Sequence, residues 1–282
     1  MLKVIGKSLR VWWFELRTVL LSGRWVVLTM VSFMLMGFYL KPILQFAEVY
    51  DLKLCPAVFP HFFGDSVFSS LGMLLLIFMT SVFPITGHIQ QGILMRSGNR
   101  CWVNGQFLTD ITLVLLWLGE MLLFICAIIG GRLSFQGWGK VWGSFGGESA
   151  RNLGFDSYAD ISMEIILGYT PLQAVLMSML FVWLTGILFG EFIFCVDGLC
   201  RNYIGEILLA VWGFGNLLIA SFGNLSEIGF LRMLSPVSWL DISRYIGNPV
   251  RVGRVLLVMG GLILLFYIFN RLLVRAKKIE IR

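Results

Sequence analysis

Charge is scarce in this chain. Of its 282 residues only 13% are Asp, Glu, Lys or Arg, about half the share found in soluble domains. That excludes a water-soluble globule of this size and a disordered segment alike. Histidine is scarcer still, with His61 and His88 alone. They fall in different segments and cannot form HExxH, and no GxSxG elbow occurs, so hydrolytic chemistry is excluded. The cysteines Cys55, Cys101, Cys126, Cys195 and Cys200 make no CxxC pair, which argues against a zinc site or a disulfide scaffold and reads as small buried hydrophobes. A phosphate-binding loop is also missing. Gly6-Lys7-Ser8 resembles the end of one, but the first glycine of GxxxxGK[ST] would have to stand at Met1. The chain is expected to carry no catalytic residue, metal or cofactor of its own.

What is there is apolar: 58% hydrophobic residues and a mean hydropathy of +0.85. The natural solvent is a bilayer, whose core takes about 20 apolar residues to cross as a helix. Six stretches qualify, approximately 25–44, 67–87, 107–129, 172–196, 203–222 and 252–269. The expected fold is an all-α membrane protein with six transmembrane helices in one domain, 25–282. Thirteen of the 22 Lys and Arg residues lie before the first stretch, after the last, or in the short connections following the second and fourth. Under the positive-inside rule both termini are cytoplasmic, and 45–66, 130–171 and 223–251 are external loops. The net charge of +6 is thus accounted for by topology, without nucleic acid.

Residues 1–24 carry five cations and no apolar core long enough for a signal peptide. At helical spacing Lys3, Lys7, Arg10, Arg17 and Arg24 share one arc, and Leu2, Ile5, Leu9, Trp12, Trp13, Leu16, Val19 and Leu20 share its neighbour. This predicts a helix along the cytoplasmic interface. A plain charged lead-in explains the charge but not its segregation. Among the external loops, 130–171 is rich in glycine and aromatics and is expected to fold back as a small cap. The run 231–240 is too short to cross and fits a re-entrant stretch, which survives in a membrane only where protein or water satisfies its backbone.

The most telling stretch follows the second apolar run: Gly87-His-Ile-Gln-Gln-Gly-Ile-Leu-Met-Arg96-Ser-Gly-Asn-Arg100-Cys-Trp-Val-Asn-Gly-Gln106. It is short, basic and partly apolar. Here the chain resembles the permease subunits of bacterial type-2 ATP-binding-cassette exporters, in which a glycine-containing run, an Arg and a Gly-Lys pair form a coupling helix that docks into the ATPase. Gly92, Arg100 and Gly105 fit that pattern, whereas Gln90 or Gln91 stands for the usual acid and Gln106 for the usual lysine. The order of parts also fits: interfacial helix, six spans, coupling segment at 90–106, and a Pro-bearing external stretch before the last span.

The resemblance implies a transport subunit of the bacterial cell membrane, multi-pass and not itself an enzyme. Its ATP and Mg would be held by separate ATPase subunits. It would form half of a pathway completed by a second permease half, as homodimer or heterodimer, surrounded by membrane lipid. Ile93, Leu94, Met95 and Trp102 would be the apolar knobs of the ATPase-coupling surface, and Arg96 and Arg100 would fix its register. The alternative for this segment is an ordinary positive-inside loop with Trp102 at headgroup level. An apolar, aromatic-rich interior favours a hydrophobic or amphipathic cargo, such as a peptide, an antimicrobial or a drug-like compound. The rival functions are a non-transporting assembly or sensor protein, and a secondary transporter, which would need more buried acids.

Ionisable residues inside apolar spans are functional candidates. Asp110, Glu191 and Glu206 lie near the ends of their stretches and are expected to reach headgroups or water. Glu120 lies deeper and is expected either to line the translocation pathway or to brace the bundle. Gly186 and Gly190 form a GxxxG suited to close helix packing, within the subunit rather than between subunits. Pro84 is expected to kink the second span just ahead of the coupling segment.

Overall fold

The structure is a computed structural model and describes residues 2–85, 88–158, 160–200, 203–221 and 236–276. The fold is all α. Its elements are α1 (Leu2–Leu20), α2 (Gly23–Val49), α3 (Phe59–Gly64), α4 (Ser66–Thr80), α5 (His88–Ser97), α6 (Asn99–Ile129), α7 (Gly139–Gly146), α8 (Ser149–Asn152), α9 (Met163–Gly168), α10 (Pro171–Cys200), α11 (Ile204–Ser221), α12 (Pro236–Leu240) and α13 (Pro249–Arg275). Four of them, α2, α6, α10 and α13, are long and apolar enough to cross a membrane; α4 and the start of α11 are apolar but shorter. The chain is thus a transmembrane helical protein, with four candidate spans where six stretches were expected. The run 231–235 lies outside the described residues, and 236–240 forms α12.

The hydropathy of a run and the length of its helix differ because caps, not apolarity, set the ends. Asp65 accepts hydrogen bonds from the amides of Val67 and Phe68, both at 2.9 Å, and so fixes the start of α4. The helix stops at Thr80, so Pro84 falls in the connecting turn and kinks no helix. Asn248 accepts from the Arg251 amide, and Pro249 occupies the first helical position of α13.

The long helices α6 and α10 form the centre. Two-thirds of the most apolar window of α10 is buried, against 11% for α13, so α10 is enclosed by protein while α13 lies at the periphery. Leu257, Leu264, Leu265 and Leu272 of α13 are all more than half exposed. Contacts between α6 and α10 are close because glycine permits them. A Cβ on Gly186 would meet both methyls of Val114 at 2.8 Å, and one on Gly190 would collide with the carboxyl group of Asp110.

The 45–66 and 130–171 segments pack together at one end of the bundle. Leu54 donates to Arg132 O at 2.8 Å and accepts from the Ser134 amide at 3.0 Å. Trp142 Nε1 donates to Cys55 O at 2.9 Å, and Trp138 Nε1 to Tyr169 O at 2.8 Å. His61 is buried beside both indoles, stacked on Trp142 at 4.9 Å, and burial lowers its pKa to about 3. It is therefore a neutral packing element of this cap.

The amphipathic helix α1 does more than skirt the bundle. Ser8, Val11, Glu15, Leu16 and Val19 are buried against the bundle, while Ile5, Leu9 and Trp13 form an exposed apolar strip between them and the cations. The docking hinges on Gly105, where a Cβ would collide with the Val11 side chain and come within 3.3 Å of the Trp12 amide. Alanine in place of glycine ordinarily stabilises a helix by about 1 kcal/mol. Here the sign should reverse. Gly105→Ala is expected to lower the unfolding temperature of the purified protein in detergent and to expose α1 to protease. Gly119→Ala, on the same helix with open space around it, should leave both unchanged or raise the midpoint. Equal behaviour of the two variants would refute close docking at Gly105.

Candidate functional site: the α5–α6 corner beside buried carboxyl groups

The chain leaves α4 through the turn 81–85 and re-enters helix at α5. The turn is pinned to α6, because the Ile85 amide donates to Gln106 Oε1 at 3.1 Å. Between α5 and α6 stands Gly98 with φ +84°, a left-handed conformation that a side chain would strain. Its amide closes α5 on Leu94 O at 2.8 Å, while its carbonyl opens α6. Lys7 Nζ of α1 donates to Arg96 O at 3.3 Å, tying the end of α5 to the interfacial helix.

The residues expected to couple divide here. Ile93 and Leu94 are half-buried and packed on the core, and Arg96 and Arg100 are exposed. The Met95 side chain lies outside the described residues. Trp102 is a correction: it is fully buried, with its ring 5.6 Å from that of Phe194, so it does not project outward as an apolar knob. The physical reason is the helix boundary. Because α6 begins at Asn99, Trp102 belongs to its first turn and points into the bundle.

Below this segment lies a layer of acids. Glu15 of α1 is fully buried, with Gln106 Nε2 donating to its Oε1 at 2.7 Å. Its Oε2 is 3.2 Å from Thr109 Oγ1, which is in turn 2.9 Å from Gly105 O. A hydroxyl has one proton to give. When Thr109 donates to the Gly105 carbonyl, as helical threonines do, the Glu15 contact is satisfied only if Glu15 carries a proton and donates it to Thr109. Burial pushes the Glu15 carboxyl up to about 8, against the hydrogen bonds from Gln106 and Thr109 that pull it down. Desolvation outweighs these bonds and favours a neutral acid near pH 7.

One turn further along α6 is Asp110, 1% exposed, with both carboxylate oxygens unpartnered among the described residues. Glu191 follows Gly190, against which Asp110 rests, and is itself 4% exposed. Asn270 of α13 donates from Nδ2 to Glu191 Oε2 at 2.7 Å and to Glu191 O at 3.1 Å. Its own Oδ1 is buried without a partner. Among the described residues, no ion pair reaches Glu15, Asp110 or Glu191. The helices α1, α6, α10 and α13 therefore enclose acceptor oxygens that outnumber their donors.

This reverses the expected order of depth. Asp110 and Glu191 were expected to reach water, yet they are enclosed, while Glu120 is only half-buried. Glu120 accepts from Trp25 Nε1 and Thr29 Oγ1, both at 3.1 Å, and so braces the start of α2 against α6. Depth counted from the apolar run misleads because α6 starts eight residues earlier than that run. Asp110 is about three turns in, roughly 16 Å along the axis. Glu15 was passed over because it lies in an amphipathic segment whose acids read as solvated. Its i, i+4 spacing from Val11 and Val19 on the buried strip was the available signal.

The Glu15 reading has a definite sign. Its folded pKa lies above its unfolded value, so the unfolded chain releases a proton that the folded one retains. The stability from the buried neutral acid is fully present below about pH 4.5 and is lost as pH rises through about 8. Glu15→Gln is neutral at every pH and can donate to Thr109 as protonated Glu does. Unfolding midpoints measured from pH 5.5 to 9 should show the variant gaining on the wild type as pH rises. A constant difference would mean that Glu15 is charged throughout. Compared with known proteins, the chain matches no family model, no curated sequence and no solved structure.

Proposed function

We propose that this chain is the transmembrane subunit of an ATP-driven exporter of the bacterial cell membrane. It supplies half of a pathway for a hydrophobic or amphipathic cargo and works with separate ATPase subunits and a second permease half. The observation that carries the proposal is the α5–α6 corner: a short helix, α5, that precedes the long α6, is fastened to α1 through Lys7 and leaves Arg96 at its end and Arg100 in the first turn of α6 exposed. A segment that transmits a push must be held at its back and bare at its front, and α5 meets both conditions. The exposed apolar strip of α1 beside its cations fits a helix resting at a membrane interface.

Co-purification and turnover test this. The tagged protein, isolated from its native membrane, should bring an ATPase whose activity depends on it. Arg96→Glu with Arg100→Glu should reduce that stimulated turnover at least about tenfold, with the unfolding midpoint unchanged, since both side chains are exposed. Isolation without any ATPase, or turnover indifferent to the double substitution, would sink the reading.

A second reading is favoured by one observation. A secondary transporter needs buried acids, and Glu15, Asp110 and Glu191 supply them without a cationic partner. In this reading Asp110 and Glu191 take up a proton or a small cation that drives cargo across. Vesicles holding the purified chain alone decide between the two. Uptake driven by an imposed pH gradient without ATP, and abolished by Asp110→Asn, would establish the carrier; no gradient-driven uptake would remove it.

A further inference from the structure

At the α5–α6 corner a groove of about 550 Å³ opens between three elements, a volume within the range of small-molecule sites. Its lining holds Arg100, Arg271 and Arg275, and among the described residues no acidic one lines it. The first turn of α6 also opens onto it. That helix is 31 residues long and is capped by Gly98, which has no side chain to occupy the free amides, so the positive end of its dipole adds to the three guanidinium groups. The same three elements also line it with aliphatic side chains: Val4, Val103, Ile268 and Leu272.

The walls are fixed to one another. Asn99 Nδ2 donates to Val274 O at 3.0 Å, joining the start of α6 to the end of α13. Tyr267 donates to Asn104 Oδ1 at 2.8 Å, and the Arg271 guanidinium lies over the Tyr267 ring at 5.9 Å. Cys101 Sγ donates to Val4 O at 3.8 Å, bringing in α1. The groove is therefore a feature of the folded bundle and not a gap between loose ends.

We propose that this groove binds the headgroup of an anionic phospholipid. Three observations select that occupant. Guanidinium groups and helix amides recognise phosphate oxygens. Among the described lining residues no carboxylate is available to meet the choline or ethanolamine of a zwitterionic lipid. The aliphatic lining continues along α13 into Leu264, Leu265 and Ile268, which are exposed and apolar and offer a track for acyl chains. The groove also lies at the terminus of a candidate membrane-spanning helix, the depth at which headgroups reside. The proposal does not depend on ATP-driven transport, and its test does not use an ATPase.

The purified full-length chain in detergent is offered phosphatidylglycerol and phosphatidylcholine of equal chain length, and retained lipid is counted by native mass spectrometry. The wild type should favour phosphatidylglycerol by about tenfold or more, as expected for several arginines at a membrane surface. Arg271→Gln with Arg275→Gln should erase the preference, and Arg100→Gln, on the facing wall, should reduce it independently. Arg10→Gln with Arg17→Gln removes equal charge from the exposed face of α1 and should leave it intact. Unfolding midpoints report that each variant is folded. Retention of the preference by the α13 variant, or its equal loss in the α1 control, would overturn the proposal. So would displacement of the lipid by millimolar inorganic phosphate, which would mark a free-anion site. If the α13 variant lost a co-purifying protein while keeping its lipid, the groove would be a protein-docking surface and the proposal would fail.

Discussion

Seating α1 against α6 requires that a carboxyl group be taken out of water, and much of this architecture answers that requirement. Glu15 lies on the buried strip of α1, and an isolated charge there would cost several kcal/mol. Gln106 and Thr109 face it from α6, and Gly105 allows the two backbones close enough for those groups to reach it. The same Gln106 receives the Ile85 amide from the turn ahead of α5. One side chain thus serves α1, α6 and the turn ahead of α5. A lysine here, usual in the resembling family, would pair with a charged Glu15 but could not accept from Ile85. Glutamine does both jobs of donor and acceptor, and it suits a neutral acid.

The bundle beyond that joint is organised by where small residues fall. Gly186 and Gly190 let α10 press on α6, one against Val114 and the other against Asp110. The second of these contacts is what encloses Asp110, because a side chain at position 190 would occupy the space its carboxyl fills. Close packing and acid burial are therefore one feature. On the outside, α13 keeps most of its apolar surface uncovered, as suits a helix facing hydrocarbon or a second copy.

Much of this was legible in the sequence, in a particular way. Composition and apolar runs announced an all-helical membrane protein, and the arcs of α1 announced its amphipathicity. Periodicity reports which residues share a face; it does not report which face is taken by protein. So Ile5, Leu9 and Trp13 look no different from Leu16 and Val19 until the latter are found packed and the former bare. Helix ends were the other blind spot. Hydropathy begins α6 near Phe107, whereas its helix begins at Asn99, and that displacement alone turned Trp102 from a buried ring into an apparent knob and Asp110 from an enclosed acid into an apparent surface one. Glu120 differs in another way: its cover, Trp25 and Thr29, comes from the start of α2, which no pattern within α6 predicts.

These corrections bear on how energy would enter the bundle. Under the proposed ATP-driven reading, a push on Arg96 of α5 and Arg100 of α6 would reach Gln106, which is hydrogen-bonded both to the turn 81–85 and to Glu15 of α1. A proton arriving at Asp110 sits one turn along the same helix from Gln106. The two routes converge on a single stretch of α6, from Gly105 to Asp110, where a backbone packed at van der Waals distance on α1 and α10 has little room to yield. Displacing that stretch from either direction must break the Gln106 contacts or separate α1 from Gly105. This stretch is therefore the joint through which the helices would move under either source of power. Its polar residues join α1 to α6 through only a few hydrogen bonds.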